Sequence, residues 1–159
     1  MIKGAIKDKE NRYQLWRIWN QKKPFLLFIL LNPSNADHKN DDKTVKKLIG
    51  FTKKFEFGGF YLGNLYSKVA TTPSPDKFIK DEARNIKHIQ IMKKKCKKVI
   101  IGWGNLGNYP NWLIDNINET MCLGINKNGT PKHPLYLSYK TQLMNYRLSG
   151  SISSASKSL

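Results

Sequence analysis

Residues Pro24–Asp37 read PFLLFILLNPSNAD, and this stretch decides the fold. Phe25–Leu31 is continuously apolar, without the polar alternation of a half-wet strand. A run of this length suits a strand buried on both faces, as in a parallel sheet. Asn32-Pro33 then reads as a turn that ends the strand. Parallel neighbours need crossover connections, usually helical, so helices and further strands should alternate along the chain.

They do. Asp41 and Asp42 can cap a helix running to about Phe55, with Val45, Leu48, Ile49, Thr52 and Phe55 at helical spacing. Gly58-Gly59 breaks it, and Phe60–Leu65 reads as a second core strand. Thr71–Pro75 is a loop. Asp81–Lys95 is expected to be helical and ends in the basic run Lys93–Lys98. Val99–Trp103 is a third strand. Pro110 suits the first turn of a helix through about Ile117, Met121–Ile125 is a short fourth strand, and Asn126–Lys132 is a turn-rich loop. Upstream, Tyr13–Trp19 alternates like an edge strand, and Ser138–Leu148 reads as a last helix. The expectation is an α/β domain over residues 1–148, with a mainly parallel four-stranded sheet and helices on both faces. The Ser-rich tail 149–159 is expected to be disordered.

Composition narrows the function. The chain has 159 residues, 28 Lys+Arg against 11 Asp+Glu, and a net charge of +17. Only 4 of the basic residues are Arg; 24 Lys, 15 Asn and 15 Ile are the residue bias of an AT-rich genome. That bias does not explain the acid deficit, since an average chain of this length carries about 20 acidic residues. The surplus favours a polyanionic partner, and nucleic acid is the commonest in a cytoplasm. Cys96 and Cys122 stand far apart with no CxxC, and His38, His88 and His133 show no metal spacing, so neither a metal nor another cofactor is expected. The N-terminal MIKGAIKDKENRY lacks the apolar stretch of a signal peptide, and no apolar run approaches the ~18 residues of a membrane span. A cytoplasmic location away from membranes is expected.

In a parallel α/β sheet the site lies at the carboxyl ends of the strands. There the four strands deliver Asn32-Pro33-Ser34, Gly63-Asn64, Gly102-Trp103-Gly104 and, through the loop, His133-Pro134-Leu135-Tyr136-Leu137. GWGNLG is not a dinucleotide fingerprint: Trp103 is bulky where phosphate would approach, and no acidic residue follows at the required distance.

These rim residues, in this order, resemble the uracil-DNA glycosylase superfamily. Leu30-Leu31-Asn32-Pro33 is similar to its first strand-and-turn motif, Tyr61-Leu62-Gly63-Asn64 to the strand ending in a base-reading asparagine, Ile101-Gly102-Trp103-Gly104 to its Trp-Gly strand end, and His133-Pro134-Leu135-Tyr136-Leu137 to its last motif. The chain as a whole also resembles an uncharacterised bacterial family with the pattern LNPSxAD…WG…HPLY. Leu30 stands where the superfamily motif has glycine, and Ser34 where its most familiar branch has a tyrosine that excludes 5-methyl pyrimidines.

The resemblance implies a three-layer sandwich and a monomeric, monofunctional hydrolase of base-excision repair. Such an enzyme flips uracil, or a related modified base, out of DNA and cleaves its N-glycosidic bond. Asn64 would read the base through its amide, with Pro33, Ser34 and Phe51 around it, Phe51 being the aromatic nearest to the stacking position. His133 would donate a hydrogen bond to the developing anion, and Asn32 would orient the attacking water. An amide takes no proton at neutral pH, so Asp37 or His38 could add base character. Leu137, with Tyr136 beside it, would fill the vacated stack, and Lys132, Lys140 and Arg147 would grip phosphates. A DNA-mimicking protein could act as inhibitor. Two alternatives stay open: a nucleic-acid-binding protein that keeps the pocket without chemistry, and a hydrolase acting on free nucleosides.

Overall fold

The computed structural model describes residues 1–70, 82–105 and 109–148. The expected loop Thr71–Pro75, the first residue of the Asp81–Lys95 helix, Gly107 and the tail 149–159 lie outside them. The described elements, in chain order, are β1 (Ile2–Lys7), β2 (Arg12–Ile18), β3 (Phe25–Leu30), α1 (Lys43–Lys54), β4 (Gly59–Asn64), α2 (Glu82–Lys95), β5 (Lys98–Ile101), α3 (Trp112–Asn116), β6 (Thr120–Cys122), a 3-10 turn (Pro134–Tyr136) and β7 (Met144–Tyr146). No helix among them is long and apolar enough to cross a membrane.

The strands form one mixed sheet in the order β1-β2-β4-β3-β5-β6-β7. The four expected strands are its parallel interior: β3 pairs with β4 and β5, and β5 with β6, all parallel. The expectation of a four-stranded, mainly parallel sheet is corrected by three antiparallel additions, β1 and β2 on one side and β7 on the other. β2 is therefore not an edge strand. Its register with β1 runs from Ile2↔Ile18 onward, and its other side pairs with β4.

The expected helix Ser138–Leu148 is also corrected. Its end forms β7, which answers the open side of β6 through Thr120↔Tyr146 and Cys122↔Met144. The Thr120 hydroxyl adds a bond to the Tyr146 carbonyl at 2.6 Å, and the Tyr146 hydroxyl reaches the Gly129 carbonyl at 2.6 Å. Pairing an otherwise open strand outweighs the weak helical propensity of so short a segment.

The alternation of β3 sends successive side chains to opposite faces. Leu26, Phe28 and Leu30 pack with Phe60, Leu62 and Ile100 against Val45, Leu48 and Phe51 of α1. Leu27 and Ile29 pack with Tyr61, Val99 and Ile101 against Ile89 and Met92 of α2 and Trp112 and Leu113 of α3. Helices on both faces thus follow from FLLFILL itself. Asp42 caps α1, its carboxylate accepting from the Val45 N–H at 2.8 Å, and the helix ends with Lys53 and Lys54 complementing its C-terminal dipole.

Gly58-Gly59 does more than end a helix. The N–H groups of Trp19 and Asn20 both donate to the Gly58 carbonyl at 2.9 Å, and Gly58 N–H donates to Pro24 at 2.9 Å. A Cβ on Gly58 would overlap the carbonyl oxygen of Asn20, which is backbone and cannot rotate aside. Gly58→Ala should therefore cost about 1–3 kcal/mol in urea unfolding. A wild-type midpoint would show that the β2–β3 connection yields freely.

Candidate active site

The carboxyl ends of β3, β4 and β5 open into a cavity of about 240 Å³. Pockets for drug-sized ligands measure roughly 300–1,000 Å³, so this smaller one suits a single ring rather than a dinucleotide. Asn32, Ser34, Asn64, His133 and Tyr136 line it, as do Arg12 and Asp42. The rim assembles because the loops lock together. Gly104 N–H donates to the Pro131 carbonyl at 2.9 Å, and a Cβ on Gly102 would sit 3.0 Å from both the Lys132 carbonyl and Pro134. The two glycines let the Trp103 loop close against the His133 loop, and Gly104 takes a φ of 82° that suits glycine.

Each lining side chain is held in a defined state. Asn32 donates its amide N–H groups to the carbonyls of Ala70 at 2.7 Å and Pro33 at 3.1 Å, which leaves its oxygen as the atom to accept from a water. His133 caps the 3-10 turn: its Nδ1 accepts from Leu135 N–H at 3.2 Å, so the neutral ring carries its proton on Nε2. Burial lowers its pKa, and the nearby Asp42 charge offsets this in part. The Ser34 hydroxyl donates to Asp42 at 2.6 Å.

Three buried polar atoms of the lining residues have no partner among the described residues: Asn64 Oδ1, Arg12 Nε and Trp103 Nε1. Asn64 is 2% exposed and Arg12 4%. One acceptor and two donors, buried and unanswered, amount to several kcal/mol if no ligand satisfies them.

Arg12 and Asp42 were not among the sequence candidates for the site. Asp42 was legible only as a helix cap. Arg12 donates Nη1 to the Ala36 carbonyl at 2.8 Å, and burial lowers its pKa to about 10, with Asp42 and Asp37 pulling the other way and Arg17 reinforcing the drop. A signal for it existed. In a chain so biased toward Lys, an Arg marks a place that needs the guanidinium fork; Arg12 and Arg17, both on β2, are the buried ones.

Other candidates fall elsewhere. Phe51 is fully buried beneath α1, stacked on Phe55 and edge-on to Tyr139 at 5.0 Å, and does not line the cavity. Pro33 is buried beside it. Asp37 accepts from the N–H groups of Asn40 and Lys39 at 2.8 Å, which lowers its pKa to about 2; it caps its own loop. His38 is exposed and outside the cavity. Leu137 packs against the α1 side of the core, while Tyr136 is 85% exposed at the mouth. Lys132 stays at the rim, its N–H bonded to Gly124. Lys140 is exposed beside the C-terminal half of α1, where Lys54 reaches the neighbouring Thr141 carbonyl. Arg147 lies at the opposite end of the sheet with Lys93, Lys97 and Lys98. The antiparallel turn of β7 carries it there, whereas a helix would have kept it near the rim.

Burial also sets a pH dependence. His133 and His88 both have folded pKa values lowered first by burial, below the unfolded value near 6.5. The unfolded chain then binds protons more readily, so the stability they contribute is complete above pH ~6.5 and is lost as pH falls through the folded values. Unfolding free energy should decline as pH falls below ~6.5, less steeply in His133→Gln and His88→Gln. A flat profile would show that neither ring resists its proton.

No curated protein and no solved structure matches this chain. Residues 12–135, from the start of β2 to the cavity-lining Leu135, match the family described as "protein of unknown function (DUF1643)", and the chain belongs to that family.

Proposed function

We propose that the cavity receives a uracil-like base extruded from DNA and that its walls hydrolyse the N-glycosidic bond, leaving an abasic site, on a uracil-DNA glycosylase-like three-layer frame. The observation that carries this reading is the set of unanswered buried atoms. Uracil offers one N–H and two carbonyl oxygens, the kinds of group that one acceptor and two donors can answer. Asn64 Oδ1 takes the N3–H, and cytosine, which has a bare nitrogen there, is refused. The cavity size supports a single pyrimidine ring.

In the reaction the C1′–N bond breaks with its electron pair moving to the base. The neutral His133 donates from Nε2 to the oxygen that gains charge, where no proton need move. Asn32 orients the water that bonds to C1′. Its proton passes to Asp42, directly or through Ser34, rather than to Asp37 or His38, which lie outside the cavity. Tyr136, exposed beside His133, fills the gap in the stack more readily than the packed Leu137, and Lys132 meets phosphate at the rim.

The test incubates the protein with uracil-containing and undamaged DNA, single- and double-stranded, and then cleaves abasic sites with alkali. Uracil-dependent cuts that disappear in Asn64→Ala support the reading. Intact DNA throughout defeats the catalytic part: salt-sensitive binding to uracil-DNA would then favour a pocket without chemistry, and cleavage of free deoxyuridine would favour a nucleoside hydrolase.

A further inference from the structure

A second concavity, of about 860 Å³, lies where the parallel strands begin, at the end of the sheet opposite the base cavity. The starts of β5 and β6 and the end of β7 wall it. Lys93, Lys97, Lys98 and Arg147 line it against one carboxylate among its lining residues, Glu119. Lys97, Lys98 and Arg147 are exposed; Lys93 is half-buried and held by the Asn116 carbonyl at 3.1 Å. Burial pushes the Cys96 thiol up to about 12, so it adds no negative charge.

The bland account of the Lys93–Lys98 run is a basic last turn answering the α2 dipole. That covers Lys93, Lys94 and Lys95, and Lys95 is turned away, its Nζ 5.3 Å from the centre of the Tyr61 ring. It does not cover Lys97 and Lys98, which lie beyond the helix, or Arg147, which arrives from β7. These cations share one groove, and the positive potential they create there is one that a polyanion would relieve.

We infer that this groove binds the sugar-phosphate backbone of a nucleic-acid strand, at a site separate from the base cavity. The cations are spread around a volume more than three times that of the base cavity. Four cations around a volume of this size can meet a chain of phosphates, whereas one small anion would fill little of it. The inference does not depend on the glycosylase reading, because backbone binding needs no excision.

The test is fluorescence anisotropy with a labelled oligonucleotide lacking uracil, across a salt series. In Lys97→Ala/Lys98→Ala/Arg147→Ala the plot of log affinity against log salt should be shallower by about 3. Between about 50 and 200 mM salt the wild type should then lose roughly 40-fold more affinity than the variant. Asn64→Ala should keep the wild-type slope, and excess dTMP should not displace the strand. Lys97→Gln/Arg147→Gln, a milder change at exposed positions, should lower the slope by about 2 and serves if the triple variant does not fold. A wild-type slope in both groove variants overturns the inference, as does a slope lost only in Asn64→Ala. Displacement by dTMP overturns it too, by making the groove a mononucleotide site.

Discussion

His133→Ala is expected to slow uracil excision by about 10²–10³-fold, the usual loss when one donor to a developing oxyanion is removed. The proposal demands an effect this large because the geometry gives the ring one job. Nδ1 is committed to the Leu135 N–H, so only Nε2–H can face the base. Asp42→Asn should cost about 10²–10⁴-fold, the range for loss of a general base. Asparagine caps a helix as well as aspartate, so α1 should remain and only the proton acceptor should go. Asp37→Asn and His38→Ala should leave the rate within a few-fold of wild type, since neither side chain lines the cavity. The measurement is single-turnover release of uracil. Wild-type rates in both His133→Ala and Asp42→Asn would remove these residues from the chemistry, and full activity loss in His38→Ala would show that the loop folds back in a way the free protein does not display.

Arg17→Ala is expected to be the most destabilising single substitution described here, by about 3–5 kcal/mol. Arg17 is 0% exposed. Its Nε donates to Asp41 at 2.7 Å, Nη1 to the Trp16 carbonyl at 2.9 Å, and Nη2 to the carbonyls of Asp37 at 2.6 Å and Asn40 at 3.3 Å. Truncation empties a fully buried site and unties four acceptors at once, Asp41 keeping only its bond to Lys3, and the penalty comes from the void and from what is left unpaired rather than from the bridge itself. For a chain of this size the loss lowers the melting temperature by roughly 10–15 °C. Arg17→Lys should recover only part, because an ammonium cannot span three carbonyls and a carboxylate in one plane. Because the loop it ties down leads into Asp42, excision should fall as well. A melting temperature within ~3 °C of wild type would show that residues 37–41 satisfy their own backbone without Arg17.

What could be read from the sequence follows the strength of the local signal. FLLFILL has one physical solution, and with it came the two helical layers, the Asp42 cap and the rim at which Asn32, Asn64 and His133 meet. β1 escaped because IKGAIK has one buried position, Gly4, whose missing side chain makes room for the Trp16 ring. β7 escaped because three residues that pair only with β6 carry no period of their own. Arg147 was misplaced with it. Distance along the chain from Asn32 points to Phe51, but α1 turns it into the core, where its helical spacing from Leu48 and Phe55 also places it. Arg12 stayed hidden because a cation in a strand reads as a wet face until a neighbouring strand covers it. The DNA-mimicking inhibitor has no trace in the described residues.

The two ends of the sheet bear on how copies of this protein behave toward one another. An unpaired strand invites a second copy to extend the sheet. β1 blunts that invitation with Lys3 and Lys7 and a register break between Ile6 and Lys7, and β7 is only three residues long. Added to a charge of +17, these features oppose the edge-to-edge pairing that a flat, neutral sheet would invite. The same surplus of lysine that suits a polyanion is thus also a colloidal stabiliser. Both effects would weaken together as salt is added, so the ionic strength that would release a bound polyanion is also the one at which charge repulsion between copies is least.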